Sequence, residues 1–242
     1  MSKKQLNVGL ASVNITPPVG VDLAGYSFGP SRGILDDLYA KTIFLENNEN
    51  SIVLIMTDLI GFDFDFIDRV FESIKKETGV RKENISLSAS HTHSGPATKF
   101  SRKWGKIDQA YMKCLEKKLI GSVVWASDNL FSAKIGFGRG YVNTISNNRV
   151  YRWKYNEDQS IDPEVGVIRI DNKNGNMVAI LINFSCHPTN LHSYRNLISS
   201  DFPGFTRRMI ENISSNLFVA YTNGAGADIT PFPYECLYHG LP

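Results

Sequence analysis

The pattern of apolar residues predicts a series of β-strands separated by turns. Runs rich in β-branched residues and bounded by polar or glycine-containing turns are typical of strands. They occur at residues 6–13, 39–46, 51–57, 85–89, 165–171, 177–185 and 217–222. The polar turns 47–50 and 172–175 each join two consecutive runs, which indicates two hairpins.

Helical spacing of apolar residues appears in three other stretches. They span residues 64–78, 107–130 and 201–213, with apolar side chains recurring every three or four positions. Gly79 follows the first stretch, as is typical of a helix end. Because strands alternate with helices and hairpins are also present, the sequence predicts a single α/β domain with a mixed sheet and flanking helices.

Composition and charge narrow the class of protein. A chain of 242 residues with 42% apolar and 21% charged residues suits one folded domain. The net charge of +2 gives no electrostatic footprint for nucleic acid, so no nucleic-acid partner is expected. No apolar run is long enough to cross a bilayer or to act as a signal peptide, and the three cysteines suggest a reducing compartment, so the expected location is the cytoplasm. The pattern does not indicate an oligomeric state.

Two histidines follow the strand at 85–89. If that strand continues, His91 and His93 project from the same face, because side chains two residues apart share a face of a strand. Two imidazoles on one face can converge on a metal ion, and imidazole nitrogen suits zinc. The alternative is a pair of polar strand-end histidines that hydrogen-bond to their neighbours.

A third histidine lies at the end of another apolar strand. His187 follows the run at 177–185, and Pro188 directly after it ends the predicted strand. Ligand sites of α/β proteins lie where strands leave the sheet. Three protein ligands and an open position for water form the typical catalytic zinc site, so the sequence predicts such a site from His91, His93 and His187.

A glycine-rich loop at 223–228 is a second candidate for chemistry. Its small residues let backbone N–H groups approach a ligand, as in an oxyanion cradle, so Asn223, Gly224 and Asp228 are candidate substrate contacts. The alternative is an ordinary turn. The chain has no Walker loop, G-x-S-x-G elbow or His-Glu-x-x-His helix, which argues against the common nucleotide-binding, α/β-hydrolase and zincin sites.

Other polar residues receive simpler interpretations. His192 and His239 are expected at the surface or beside the site. Asp201 precedes Pro203 and is expected to cap a helix. For Asp58, support of a histidine and a role as a turn carboxylate both stay open.

An ordered series of short motifs resembles one known family along nearly the whole chain. The series comprises Val8-Gly9, Ile15-Thr16-Pro17-Pro18-Val19-Gly20, Leu23-Ala24-Gly25-Tyr26, Asp36-Asp37-Leu38-Tyr39-Ala40-Lys41, Thr57-Asp58-Leu59, Leu87-Ser88-Ala89-Ser90-His91-Thr92-His93-Ser94-Gly95-Pro96, Asn147-Asn148-Arg149, Ile161-Asp162-Pro163-Glu164-Val165-Gly166, Phe184-Ser185-Cys186-His187-Pro188, Ile198-Ser199-Ser200-Asp201-Phe202-Pro203-Gly204 and Asn223-Gly224-Ala225-Gly226-Ala227-Asp228-Ile229-Thr230-Pro231. Together these motifs resemble the N-terminal domain of the neutral (non-lysosomal) ceramidases, which are zinc amidases of sphingolipid metabolism.

The resemblance implies roles for five residues. His91 and His187 look like the two histidine ligands of a single zinc ion. His93 looks like the neighbouring histidine that handles a proton or orients a group. Arg149 falls where ceramidases present an arginine to the substrate, although an exposed strand-edge cation is the alternative. Thr230 occupies the place of the family's serine.

Departures from the family pattern modify the expected substrate. Thr230 replaces that serine, Phe232 stands in place of an asparagine, and Ala227 replaces a glycine. These changes favour a smaller or different amide over ceramide. The resemblance also implies that a glutamate and a tyrosine from a later part of the domain complete the zinc shell. The sequence around Tyr234, Glu235 and Tyr238 does not match the sequence around those later ligands. Residues 1–242 are therefore expected to form a domain that is incomplete at its C-terminal end.

The expected function is therefore zinc-dependent hydrolysis of an amide bond. The substrate would be an N-acyl, ceramide-like molecule or a related small amide, with a cell-wall or sugar amide as a variant of the same chemistry. The alternative is a catalytically incomplete domain that retains a weak metal site and acts as a binding or subunit-like module.

Overall fold

Strands and helices alternate through most of the computed structural model. It describes residues 5–25, 29–102, 104–149, 161–191, 196–214 and 216–231. The helices are α1 (Phe64–Thr78), α2 (Gln109–Asp128) and α3 (Asp201–Glu211). The strands are β1 (Leu6–Asn14), β2 (Gly33–Ile34), β3 (Tyr39–Glu46), β4 (Ser51–Thr57), β5 (Ile85–Ala89), β6 (Phe131–Tyr141), β7 (Ser146–Asn148), β8 (Glu164–Asn172), β9 (Met177–Phe184), β10 (Leu197–Ile198), β11 (Phe218–Asn223) and β12 (Ile229–Pro231).

The main sheet is mixed and eight-stranded, in the order β11-β9-β8-β6-β1-β3-β4-β5. The pairs β4–β5 and β9–β11 are parallel, and the other neighbours are antiparallel. The expected α/β class, with a mixed sheet and flanking helices, is confirmed. Two small two-stranded sheets, β2 with β10 and β7 with β12, lie outside the main sheet.

The sheet folds over on itself and carries helices on its outer surfaces. One core cluster joins Val8 and Ile43 to Leu181 and Ala220, which come from the two halves of the sheet. Helices α1 and α2 cover the other face of β1, β3 and β4. Their close approach requires Gly9, because a Cβ at this position would lie 1.8 Å from the carbonyl oxygen of Ala126 in α2. Helix α3 covers β9 and β11.

The carboxyl ends of three strands meet at one place. The side-chain amide of Asn223, at the end of β11, donates to the carbonyl oxygen of Ser90 after β5 at 3.1 Å. Its Oδ1 atom accepts from the backbone N–H of Cys186 after β9 at 3.2 Å. The two edge strands β5 and β11 are therefore joined where the histidine-bearing loops begin.

Strand β6 was missing from the sequence-based prediction. Its residues from Lys134 to Tyr141 are all exposed, and Gly136, Gly138 and Gly140 alternate along it. Glycine is depleted in strands, and a strand without a buried face shows no core-facing pattern. The segment therefore resembles a loop in its composition.

The structure corrects the role expected of Asp201 and distinguishes the two open roles of Asp58. Ser200 is the N-cap of α3, and Asp201 is the first residue of the helix, where its carboxylate accepts from the backbone N–H groups of Leu191 at 2.9 Å and Phe202 at 2.6 Å. Asp58 lies in the bend after β4, is buried and forms an ion pair with Arg207, so its carboxylate stabilises this bend and does not orient His91 or His187. Within the described part of the chain, no helix combines the length and apolarity needed to cross a membrane.

Candidate metal centre

His91 and His93 lie in a loop rather than on a continued strand. Strand β5 ends at Ala89, and His91 has a positive φ of 70°, which is uncommon for a residue other than glycine. The expectation that strand alternation aligns the two side chains was therefore wrong. The loop is held by backbone hydrogen bonds from His91 N–H to the Leu59 carbonyl at 2.9 Å and from His93 N–H to the Pro188 carbonyl at 3.2 Å.

The predicted convergence of three imidazoles is nevertheless present. The ring centroids of His91 and His93 are 5.0 Å apart, those of His91 and His187 4.7 Å, and those of His93 and His187 4.9 Å. The Nε2 atoms of His93 and His187 are 3.1 Å apart. One candidate ligand atom from each histidine lies within 4.8 Å of the others, so the cluster can hold a metal ion.

Two backbone carbonyls fix the orientation of the His91 and His187 imidazoles. The Nδ1 atom of His91 lies 2.7 Å from the Ile60 carbonyl oxygen, and that of His187 lies 3.1 Å from the Gly226 carbonyl oxygen. A carbonyl can only accept, so each Nδ1 carries a proton and each neutral ring keeps its lone pair on Nε2. Histidines that bind metals typically donate their second N–H group in this way.

Burial keeps these imidazoles neutral. It lowers the pKa of His91, and it lowers the pKa of His187 to about 4, while the hydrogen bonds to the Ile60 and Gly226 carbonyls act in the opposite direction. The positive charge of Arg149 lowers both pKa values further. Neutral imidazole is the form that binds a metal, so the site is ready for one near neutral pH.

The glycine-rich loop supports the segment that carries His187. The N–H group of Gly224 donates to the Phe184 carbonyl at 3.1 Å, and that of Gly226 donates to the Gly224 carbonyl at 2.8 Å. A Cβ at Gly226 would lie 2.8 Å from the backbone nitrogen of Cys186. These contacts explain why small residues are needed here. Contact of Asn223, Gly224 and Asp228 with a substrate stays a prediction.

The β7–β12 pair brings the remaining candidate residues beside His187. The backbone N–H of Arg149 donates to the Asp228 carbonyl at 2.7 Å, and Thr230 pairs with Asn147 in the small sheet. The carbonyl of Ile229, next to Thr230, accepts from the backbone N–H of His187 at 2.9 Å. Thr230 is buried and Arg149 is half-buried. Their catalytic roles stay predictions.

Several candidate residues lie outside the described residues. They are His192, Phe232, Tyr234, Glu235, Tyr238 and His239. The Ile60 and Gly226 carbonyls, in contrast, are described, and they accept hydrogen bonds from the His91 and His187 rings. The sequence could not reveal them, because every residue has a backbone carbonyl and only the fold places these two beside the histidines.

Comparisons with known proteins show the family to which this chain belongs. The sequence profile described as "Neutral/alkaline non-lysosomal ceramidase, N-terminal" matches residues 6–231. The chain belongs to this family. Neutral ceramidase B of Dictyostelium discoideum is 26% identical over 201 residues, covering 76% of this chain and 27% of its own length. Neutral ceramidase of Pseudomonas aeruginosa is 26% identical over 216 residues, covering 81% of this chain and 32% of its own length.

Solved structures show the same fold. The crystal structure of neutral ceramidase from Pseudomonas aeruginosa superposes with a TM-score of 0.87 at 23% sequence identity, over 99% of this chain and 42% of that chain. The structure "Ceramidase complexed with C2" gives a TM-score of 0.79 at 24% identity, over 95% of this chain and 39% of that chain. The chain thus spans about a third or less of the curated relatives described above.

The donor set of this ceramidase-family domain suits several metals. Imidazole nitrogen binds zinc, copper, iron and nickel, so the three histidines alone do not identify the ion. Within the described residues these histidines form the group of His, Cys, Asp and Glu side chains that can hold a metal. A site with three imidazole ligands leaves a fourth position for water or substrate on an ion of tetrahedral preference.

Proposed function

We propose that this chain is a zinc-dependent hydrolase of amide bonds. The observation that carries the proposal is the convergence of His91, His93 and His187, with the His91 and His187 rings kept neutral by burial and oriented by backbone carbonyls. Membership of the ceramidase N-terminal family and the names of its curated relatives support the choice of an amide as the substrate.

Each residue has a role in the proposed reaction. His91 and His187 would hold the ion, which would supply Lewis-acid chemistry for the scissile carbonyl and for the attacking water. His93 accepts a proton from the attacking water and returns one to the amine nitrogen as the C–N bond breaks, so that one water is consumed per amide cleaved. The guanidinium of Arg149 holds the substrate beside the histidines, and Thr230 offers its hydroxyl within the neighbouring strand.

The proposed substrate is an N-acyl amide that shares the amide group of ceramide. The relatives are named neutral ceramidases, which favours an acyl chain on the carbonyl side. The replacement of serine by Thr230 favours an amide smaller than ceramide, because the additional methyl group restricts the hydroxyl rotamers.

A second candidate function is a metal-binding module without turnover. The chain spans 27% and 32% of the two curated relatives, so the names of those longer proteins do not by themselves establish turnover in this chain. In this case the three histidines bind zinc weakly, and catalysis requires a partner polypeptide.

Zinc content and hydrolysis together distinguish the two functions. We expect the purified chain to contain about one zinc ion and to hydrolyse a fluorescent N-acyl amine, and both properties to be lost in His91→Ala and His187→Ala. His93→Ala should reduce turnover by about 10²–10⁴-fold, the range for a general acid–base group. Zinc binding without hydrolysis of any amide would favour the second function. Elemental analysis that finds no zinc bound to the wild-type chain would rule out both the hydrolase and the metal-binding module.

A further inference from the structure

The backbone of Gly25 packs directly against the ring of His93. Gly25 has a φ of +90°, and a Cβ built on it would lie 2.7 Å from His93 Cβ and 2.8 Å from both Cγ and Nδ1. Real Cβ atoms essentially never make non-bonded contacts this short, so either the backbone at position 25 or the imidazole would have to move. Only glycine leaves room for His93 where it now lies.

The residues before Gly25 are held against the loop that follows His93. Leu23 forms a β-bridge with Pro96, and the N–H of Ala24 donates to the Gly95 carbonyl at 3.0 Å. In return, the N–H of Ala97 donates to the Asp22 carbonyl at 3.0 Å. The residues directly before Gly25 are therefore attached to the loop that follows His93, and a retreat of Gly25 would strain this pairing.

His93 is also limited on its opposite side. Its Nε2 atom lies 3.1 Å from Nε2 of His187, and its backbone N–H is bonded to the Pro188 carbonyl. A side chain at position 25 would thus displace the imidazole from its place beside His187. The displacement needed to restore an ordinary contact of about 3.5 Å exceeds half an ångström.

We propose that Gly25 is a positioning residue that sets the place of the His93 imidazole relative to His91 and His187. This inference deepens the proposed function, since it assigns a specific residue to the geometry of its proton-handling histidine. Metal–ligand distances are held to within about 0.2 Å, and misplacement of a catalytic group by about 1 Å can reduce the rate about 10²-fold. A shift of the size that a methyl group imposes is therefore sufficient to impair catalysis.

A matched pair of variants separates the contact from backbone strain. Gly20 has a φ of +105°, and a Cβ at this position would meet nothing within 4 Å. Gly20→Ala therefore introduces a side chain at positive φ without a clash, whereas Gly25→Ala adds the clash with His93. We expect Gly25→Ala to lower kcat by about 10–100-fold with KM changed less than about twofold, and Gly20→Ala to retain kcat. Equal kcat values for the two variants would overturn the proposal.

A spectrum of the metal-free protein tests the inference without turnover. In imidazole ¹H–¹⁵N correlation spectra, Gly25→Ala should shift the resonances of His93, and Gly20→Ala should leave them in place. If the wild-type chain hydrolyses no amide, the proposed function fails, but this comparison still decides the role of Gly25. His93 resonances that are unchanged in Gly25→Ala would contradict it.

A double variant covers the case in which Gly25→Ala does not fold. Replacing His93 by glycine removes the Cβ, Cγ and Nδ1 atoms that the new methyl group would meet. Gly25→Ala should therefore reduce the melting temperature of the His93→Gly protein no more than Gly20→Ala does. If Gly25→Ala is just as damaging without the His93 side chain, the contact is not the cause and the proposal is wrong.

Discussion

At the scale of single residues, Asp58 shows that a buried carboxylate near the histidine cluster can have a purely structural partner. Its side chain and that of Arg207 are each 4% exposed, and the two form an ion pair. The carboxylate also accepts from the backbone N–H of Tyr39 at 2.8 Å. Burial raises the pKa of Asp58, while the positive charge of Arg207 acts to lower it. This pair joins the end of β4 to α3.

Removing the charge of Asp58 should therefore affect stability and not metal binding. Asp58→Asn leaves the Arg207 guanidinium buried without its counter-ion, which typically costs about 3–5 kcal/mol of unfolding free energy. Urea denaturation measures this loss, and elemental analysis of the folded variant should still find the wild-type zinc content. The exposed carboxylate of Asp68, paired with Lys82, provides the control, because loss of a solvent-exposed ion pair in Asp68→Asn should leave the unfolding free energy nearly unchanged. A folded Asp58→Asn protein with reduced zinc would contradict the structural role.

Other residues that carry the family resemblance also hold loops together. The carboxylate of Asp36 accepts hydrogen bonds from the hydroxyl groups of Ser199 and Ser200, and from Arg208 at 3.2 Å. The hydroxyl of Thr92, between the two loop histidines, donates to the Ser199 carbonyl at 2.9 Å. Motifs that are distant in sequence thus brace the turn that presents His91 and His93. The sequence motifs identified these positions as part of the family resemblance, but they did not indicate that these side chains hold the loops together.

At the scale of elements, buried strands were predictable and exposed or irregular segments were not. The bounds of β3, β4, β5 and α1 coincide with the predicted runs, because their apolar residues face a core. The exposed strand β6 and the two-residue and three-residue strands lack that signal. The histidines were found because imidazole spacing is visible in sequence, whereas the loop conformation after Ala89 depends on hydrogen bonds to Thr57 and Leu59 that only the fold supplies.

The glycines of two neighbouring strands should respond to substitution in opposite directions. A Cβ at Gly138 in β6 would meet nothing within 4 Å, whereas a Cβ at Gly9 in β1 would collide with Ala126 in α2. Valine suits an extended strand, so Gly138→Val should raise the unfolding free energy by about 0.5–1 kcal/mol. Gly9→Val should lower it by about 1–3 kcal/mol or more through overpacking.

Denaturant midpoints at constant slope measure both changes. Gly136→Val serves as a second test of the open face of β6, since its Cβ position is equally empty. Destabilisation by valine at both Gly136 and Gly138 would show that this strand has contacts which the described structure does not contain.

At the scale of the whole molecule, the histidine cluster depends on folding of the complete sheet. His91 and His93 follow β5 at one edge, while His187 follows β9 near the other edge. The strand order alone places these edges far apart. They meet because the sheet folds over a shared core and because Asn223 joins the ends of β5, β9 and β11. No pattern within a single segment of the sequence contains this information.

The same dependence predicts a link between pH and global stability. Burial lowers the pKa of His187 from 6.5 to about 4 in the folded chain, so between these values the unfolded state binds more protons than the folded state. The stabilising contribution of neutral His187 is therefore fully present above about pH 6.5 and is lost as the pH falls towards 4. Metal-free protein should show a lower urea midpoint at pH 5 than at pH 7.

The difference between the wild type and a non-titrating variant isolates this contribution from those of other groups. His187→Asn keeps a polar side chain but removes the titration, so its urea midpoint should change less between pH 7 and pH 5 than that of the wild type. Asp58, whose pKa is raised by burial, titrates equally in both proteins and cancels in the comparison. Zinc should raise the wild-type midpoint at pH 7 and progressively less towards pH 5, because protons compete for the same nitrogen atoms. Identical pH profiles for the two proteins, measured without metal, would mean that His187 is not held neutral by the fold, and the site would lose the property that prepares it for a metal ion.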